Sequence, residues 1–569
     1  MLTKMGESPD PDVQQQGDRY ISPSSTRALI RKVVQRTLHR SPRVLINTAT
    51  GCLHHRAEQA SIFEALPIFN ELVSSTTTRI DYVRIKREVR QYFQYVMLSH
   101  KWEDNEPLFQ QVVHIAVYDL ETSPTHDKLQ TFCNIVRDAG FNWAWSDTCC
   151  IDKSDHFVLQ EALVAMFRWY QGSAMVIVFL RGVRPSSPCG ALAGSIWNTR
   201  AWTLQEYIAA KVIRFYTEDW TLYRDLDVPN HKESPEIILE MEQATGVSTQ
   251  QLKELRPGLS SIWDKLRLAS TRSTTSVEDA AYSLLGIFSA IGIPAIYGEG
   301  EASLGRLLAN VLTRSGDASI LAWTGDSSRF NSCLPTRISV FNGPATSHPP
   351  SIPDSEMERI IAGLRAPSFD LDIALRLYDR LNELPTPRFA ESRMTLPCIT
   401  FQLPPLSASR IGSTRVYHAD TIVFGRVEIR TKHNLSRMNS LYLVHPWLDT
   451  LLQHGNMHSS AIAEDDEEIF DEDTDDEESD DDSSSLSEPE SPSSPASVQL
   501  IPVDRVSGAR RLVARLRQPF GALMFTLVST GRRATDYKRV AADSLITVRL
   551  QDNVTLANIL DNVRILDVL

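Results

Sequence analysis

Between residues 95 and 216 the chain alternates compact apolar runs with amphipathic helical patterns, and this alternation restricts its fold more than any other feature. Tyr95-Val96-Met97-Leu98 reads as a buried strand that ends at once in the polar loop Ser99-His100-Lys101-Trp102-Glu103-Asp104. Leu129, Phe132, Ile135, Val136 and Ala139 then recur at helical spacing over 128–139, with Gly140 placed to stop the helix. A second strand over 141–145 empties into Ser146-Asp147-Thr148-Cys149-Cys150-Ile151-Asp152. A helix over about 157–171 follows, then an all-apolar run at 175–180, as expected of a strand covered on both faces. A fourth strand is expected over 212–216. Strands separated by helices predict a parallel, doubly wound sheet. Ligands bind along the edge where such strands leave their carboxyl ends. Ser99 to Asp104, Asp147 to Asp152 and the segment leading to Glu206 are therefore expected on one rim.

The segment 195–210, SIWNTRAWTLQEYIAA, reads as one helix laid against that sheet. Ala201, Leu204 and Ile208 recur at spacings of three and four, and Tyr207 widens the stripe. Trp202 and Glu206 are four apart and share a second face, directed to a ligand or to solvent.

At 569 residues the chain exceeds one ordinary domain, and two to four are expected. No apolar run reaches the ~18 residues of a membrane helix, and the N-terminus has no apolar signal core. Residues 1–41 read as a polar, disordered segment passing into a basic, solvated helix. Residues 233–325 are helical in pattern, whereas 326–463 and 498–569 are richer in β signals. Between these two, 464–497 is an acidic, serine-rich insertion that cannot build a core. It dominates the net charge of −13: Glu464 to Asp482 holds fifteen Asp or Glu and no Lys or Arg, and without them the remainder is near +2. That balance carries no nucleic-acid footprint. The insertion is a solvated spacer or folds back on Arg505, Arg510, Arg511, Arg515 and Arg517. Seven scattered cysteines without a C-x-x-C pair fit a reducing, cytoplasmic setting and favour neither a disulfide framework nor a bound metal.

Three blocks, Leu98-Ser-His-Lys-Trp102, Trp145-Ser-Asp-Thr-Cys-Cys-Ile-Asp152 and Arg200-Ala-Trp-Thr-Leu-Gln-Glu206, resemble the heterokaryon incompatibility (HET) domain of filamentous fungi. Ser276 to Phe288 and Tyr297-Gly-Glu-Gly300 resemble the segment that commonly follows it. The family usually has Gly where Glu103 stands. The resemblance implies a HET domain over 42–232 with its helical extension over 233–325. It also implies a role in non-self recognition leading to programmed cell death, with other HET- or NLR-type signalling proteins, or self-association, as partners. The HET domain is itself similar to Toll/interleukin-1 receptor (TIR) domains, so the implied fold is a TIR/flavodoxin-like sheet. Leu98-Ser99-His100-Lys101 matches the TIR strand end, and Trp202 to Tyr207 matches the TIR Trp-Cys-Leu-x-Glu-Leu helix, with Thr203 and Tyr207 as departures. In enzymatic TIR domains that glutamate is needed to cleave NAD, which makes Glu206 the catalytic candidate here. NAD is then a substrate, and no permanently bound cofactor is implied.

One carboxylate suffices for such chemistry. Nicotinamide leaves as a neutral molecule and needs no general acid, unlike the leaving groups of ordinary glycosidases. The reaction instead needs a charge beside the developing oxocarbenium ion. Trp102 or Trp202 could stack on nicotinamide or adenine, Lys101 could hold a phosphate, and Ser99, with His100 and Asp147 beside it, could bond ribose or phosphate. The plain alternative is that Glu206 pairs with Arg200 or a lysine and Trp202 belongs to the core. On that reading the helix from Ile196 is a contact surface of a non-enzymatic, self-assembling scaffold. His100 with Cys149 or Cys150 could also be drawn as a cysteine hydrolase, but adjacent cysteines on an extended chain point apart. Asp147 and Asp152 suit an Asx turn and a helix cap. Tyr297-Gly298-Glu299-Gly300 reads as a turn before a helix, and Glu278 and Asp279 as acidic residues at a helix start.

Overall fold

The computed structural model describes residues 22–75, 81–290, 292–343, 354–364, 369–390, 392–411, 414–438, 440–447, 503–529 and 535–569. The acidic insertion expected at 464–497 and residues 1–21 lie outside them.

The first sheet has six strands: β1 Val44–Asn47, β2 Leu53–His55, β3 Tyr95–His100, β4 Trp143–Trp145, β5 Met175–Phe179 and β6 Ile213–Tyr216, in the spatial order β2-β1-β4-β3-β5-β6. Strands β3 to β6 are mutually parallel, as the alternation predicts. The first two are not: β1 runs antiparallel to both β2 and β4, so the sheet is mixed. The turn at Asn47–Cys52 explains this, because it returns the chain directly instead of through a helix.

The chain steps from β3 to β4 on one side and then back past β3 to β5 and β6. Right-handed crossovers therefore place Pro124–Asp138 on one face and both His156–Gly172 and Trp202–Ala209 on the other. The last two pack on each other, and Pro124–Asp138 packs on β4. Strands β3, β4 and β5 are buried along their whole length, which is the reason their sequences are continuous apolar runs.

Pro23–His39 is an ordered helix capped by Ser22, more than the solvated segment expected. Ile30, Val33, Val34 and Leu38 form a separate small core with Phe63, Phe69, Leu72, Ile85 and Val89 from the next three helices. The segment predicted as one helix at 195–210 is two, Ile196–Thr199 and Trp202–Ala209, because Arg200 is extended (φ −84°, ψ 139°). The break is held from outside: Ser273 N–H donates to Thr199 O at 2.7 Å and Ala201 N–H donates to Ser273 O at 3.1 Å.

The C-terminal part is β-rich, as expected. Strands β7 Arg393–Gln402, β8 Leu441–Pro446, β9 Phe520–Ser529, β10 Thr535–Arg539 and β11 Val563–Val568 close on themselves, because β7 pairs with both β8 and β11. Closure leaves these strands without open edges. The helices Leu371–Asn382 and Val503–Leu516 pack on each other beside them, which the sequence patterns did not indicate. Arg505, expected to attract the acidic run, is engaged by Asp379.

The segment after the first sheet is fixed by close packing. A Cβ on Gly286 would lie 2.1 Å from Phe167 Cβ on the helix beneath the sheet, and Leu284, Leu285, Ile287 and Phe288 around it are buried. Gly286→Ala is expected to destabilise the protein by roughly 2 kcal/mol or more, since overpacked cores relax poorly. An unchanged unfolding midpoint in denaturant would contradict this packing.

Candidate functional site

The period-two alternation of a strand decides which side chains of β3 meet. Ser99 faces the helices His156–Gly172 and Trp202–Ala209, and His100 faces Pro124–Asp138. Both are inside the strand, not in the loop where the apolar run suggested they fall, because pairing with β5 continues through Ser99↔Val178 and His100↔Phe179.

On the Ser99 face, the serine hydroxyl donates to Glu206 Oε2 in a short hydrogen bond. The same Ser99 Oγ accepts the indole N–H of Trp197 at 2.7 Å, so the serine proton is directed onto the carboxylate. Ser99 is 1% and Glu206 7% exposed. The Tyr170 hydroxyl borders the carboxylate and donates to Leu98 O at 3.3 Å. Burial pushes the Glu206 carboxyl up to about 7; the Ser99 bond opposes this, nearby Asp147 adds to it, and Arg200 and Arg272 counter it. Arg272 is itself buried, donating to Thr203 Oγ1 at 2.8 Å, Asn198 Oδ1 at 2.8 Å and Arg200 O at 2.9 Å. Burial lowers its guanidinium to about 10, against the pull of Glu206. Arg200 donates to the backbone carbonyl of His100 at 2.7 Å.

The rim above is built by the loops after β3 and β4. The Trp102 indole N–H donates to Asp147 Oδ2 at 2.8 Å, and the Lys153 ammonium sits 3.5 Å from the centroid of the Trp102 ring. Trp102 is 40% exposed. Lys101 is partly exposed just past the strand end.

Of the residues singled out in the sequence, Ser99 and Glu206 are joined directly, and Trp102 and Asp147 are joined to each other beside them. His100 is not part of this group. Its ring lies on the opposite face, with Nε2 3.6 Å from Glu106 Oε1, and Lys128 binds the same carboxylate. The contacts from His100 and Lys128 outweigh burial and bring Glu106 down to about 2. Trp202 also turns away. It packs partly buried against the core and bonds Asp279, whose carboxylate accepts the Tyr297 hydroxyl at 2.9 Å. Trp197, Tyr170, Arg272 and Lys153 belong to the site and were not singled out. Trp197 sits one residue beyond Ile196 in a segment read as a single helix, and only the break at Arg200 lets its indole reach Ser99.

The cysteine reading finds no support in this geometry. Cys149 and Cys150 lie in a turn closed by the Cys150 N–H to Ser146 O bond at 2.9 Å, not on extended chain. Their thiols face each other, and burial raises Cys150 well above the ordinary thiol range. All seven cysteines are free thiols. Asp152 makes the expected Asx turn with Ser154 N–H at 3.0 Å, whereas the helix cap is Asp155. Tyr297 to Gly300 is a turn ahead of Ala302–Ser315, and its Gly298 and Gly300 N–H groups are committed to Glu278 at 2.9 Å.

The raised Glu206 carboxyl has a consequence for stability. Its proton is bound more tightly folded than unfolded, so its contribution is fully present below about pH 4.5 and is lost as pH rises through about 7. Glu206→Gln removes the titration. Relative to wild type, the variant is expected to gain stability between pH 5 and 8, by an amount on the order of 3 kcal/mol at most. Parallel unfolding curves at all pH values would show that the carboxyl is not buried in this way.

Comparison with known proteins agrees with this region. Residues 95–193, from β3 to the loop after β5, match the family model described as heterokaryon incompatibility protein (HET). That match ends before Glu206. Over 228 residues the chain is 35% identical to the vegetative incompatibility protein HET-E-1 of Podospora anserina. The alignment covers 37% of this chain and only 16% of that relative. No solved structure matches the chain significantly. The strands and loops of the rim fall inside the matched residues, so it is the region over 95–193 that carries the heterokaryon incompatibility (HET) domain.

Proposed function

We propose that this protein acts in heterokaryon incompatibility as a non-self recognition component, and that its HET domain cleaves NAD at the nicotinamide–ribose bond through Glu206. The observation that carries the reading is the Trp197–Ser99–Glu206 chain at the carboxyl end of β3. It stands beside the point where the parallel strands reverse direction of addition, between β3 and β5, which is where doubly wound sheets bind nucleotides. The order β4-β3-β5-β6 is also the order of the first four strands of a flavodoxin-like sheet, which supports the TIR-like reading.

The chemistry follows from the environment of the carboxylate. Loss of nicotinamide leaves positive charge on the ribose C1 and ring oxygen, and water adds to C1 with release of a proton to give ADP-ribose. An ionised Glu206 in a buried setting stabilises that charge more strongly than it could in water. Ser99 fixes the orientation of the carboxylate and favours its ionised form. A cationic substrate brought beside Glu206 offsets the burial that otherwise holds its proton.

A second reading is favoured by one observation: Ile196 is 47% exposed at the start of a four-residue helix, which suits a self-assembling, non-enzymatic module recruiting HET- or NLR-type partners. Among the described residues no helix is long and apolar enough to cross a membrane.

NAD consumption by the full chain distinguishes the two. Glu206→Gln is expected to lower turnover by about a hundredfold or more, the usual scale for loss of a transition-state charge contact. Wild type and variant equally inactive at high protein concentration would leave the scaffold. Because the ionised form acts, wild-type kcat/KM is expected to rise with pH to a plateau, with its midpoint near 7. Ser99→Ala removes a group that favours ionisation and is expected to move that midpoint upward. A profile falling through neutral pH would overturn the assignment.

A further inference from the structure

Lys153 is the charged group at this rim that the protein leaves without a hydrogen-bond acceptor. Its ammonium nitrogen is occluded from solvent and makes no hydrogen bond among the described residues. The Trp102 ring lies 3.5 Å away and supplies only a π face. The nearby carboxylates are committed elsewhere: Asp147 accepts the Trp102 indole N–H and Glu106 accepts Lys128. Arg200 adds a second positive charge in the same neighbourhood. Burial accordingly pulls the Lys153 amine below its ordinary range, against the attraction of Asp147. A desolvated ammonium lacking acceptors is costly to keep. The arrangement is complete only when an anionic oxygen arrives.

Asp147 and Arg200 relate this cation to the carboxylate, because both act electrostatically on Lys153 and on Glu206. We infer that Lys153, seated on the Trp102 ring, binds a phosphate oxygen of the nucleotide diphosphate whose ribose lies at Glu206. The inference rests on the NAD reading above. It gives Lys153, and not the partly exposed Lys101, the phosphate contact expected from the strand-end motif. Trp102 then serves as the plate beneath the amine, with Asp147 fixing its plane. An ammonium can turn any of its three donors to a phosphate oxygen without the fixed geometry a guanidinium demands.

Calorimetric binding of ADP-ribose to the full chain tests this apart from catalysis. Lys153→Met keeps an apolar stem against Trp102 and removes the charge. It is expected to weaken ADP-ribose binding by about tenfold or more, as for loss of a charge-assisted hydrogen bond. Its melting midpoint is expected to be no lower than wild type, because a buried unpaired charge has been removed. In NAD consumption the KM of Lys153→Met should rise while kcat holds, and with nicotinamide riboside, which has no phosphate, neither should change. Equal ADP-ribose affinity in variant and wild type, or no ADP-ribose binding to wild type, overturns the inference, and a lowered midpoint with unchanged affinity marks a purely structural lysine. Lys153-dependent ADP-ribose binding without NAD consumption would keep the phosphate contact and remove the hydrolase reading. Glu206-dependent consumption with a KM indifferent to Lys153 would do the reverse.

Discussion

The site depends on a single polar contact made inside an apolar layer, the Ser99 hydroxyl on the Glu206 carboxylate. It joins the last inward residue of the central strand to a helix more than a hundred residues later, with no cation bonded to the carboxylate among the described residues. A buried polar pair of this kind is tolerated only where each partner is fixed and satisfied. The Trp197 indole supplies the outer end by donating to the same serine oxygen. Because the indole has one proton and the serine has one, the chain of donors has only one direction, toward Glu206. The break at Arg200 is what permits it: one continuous helix over 196–209 would carry Trp197 and Glu206 nine residues apart, on faces about 180° from each other.

The strand also separates two electrostatic environments that the sequence writes as adjacent letters. Ser99 looks toward a carboxylate whose proton is held near neutrality, and His100 looks toward one held well below its usual range by its contacts with His100 and Lys128. This separation explains how Glu103 is accommodated where the resembling family usually has glycine. Glu103 is not among the residues with positive φ, so its backbone makes no demand for glycine. Its carboxylate joins the second environment, meeting Arg181 at 2.8 Å and Lys128 at 3.4 Å. The departure thus falls on the face away from Glu206 and leaves the Ser99 side unchanged.

The parallel strands and the rim that gathers Ser99, Asp147 and Glu206 were legible because they depend on local signals: apolar runs, helical spacing and polar residues at strand ends. What escaped depends on tertiary bonds that no window of sequence contains. The kink at Arg200 is made by Ser273 and Arg272, some seventy residues away. Trp202 was read from its spacing to Glu206, yet Asp279 and Tyr297 from the helical extension draw its indole aside. The antiparallel direction of β1 is seen only in the structure, because a short strand followed by a tight turn carries no mark of direction. In the C-terminal part the β-rich character was visible, but closure through β7 is set by distant pairings, among them Cys398 with Pro446, 48 positions apart, and Val563 with Ile399, 164 apart.

The charge arrangement around Glu206 argues for a ligand that is cationic at one point and anionic at another. A carboxylate desolvated this far gains from a positive partner, and the protein provides none by direct bond, keeping Arg200 on the His100 carbonyl and Arg272 on Thr203 and Asn198. At Lys153 the situation is inverted, with an ammonium resting on an indole and no hydrogen-bond acceptor among the described residues. Were both groups merely structural, the economical arrangement would be for the lysine to pair with the glutamate and neutralise it. Asp147, fixed by Trp102, acts electrostatically on both. The proposed dinucleotide, with a quaternary pyridinium at one end and a diphosphate in its middle, carries charges of both signs, and a simple anion or cation does not.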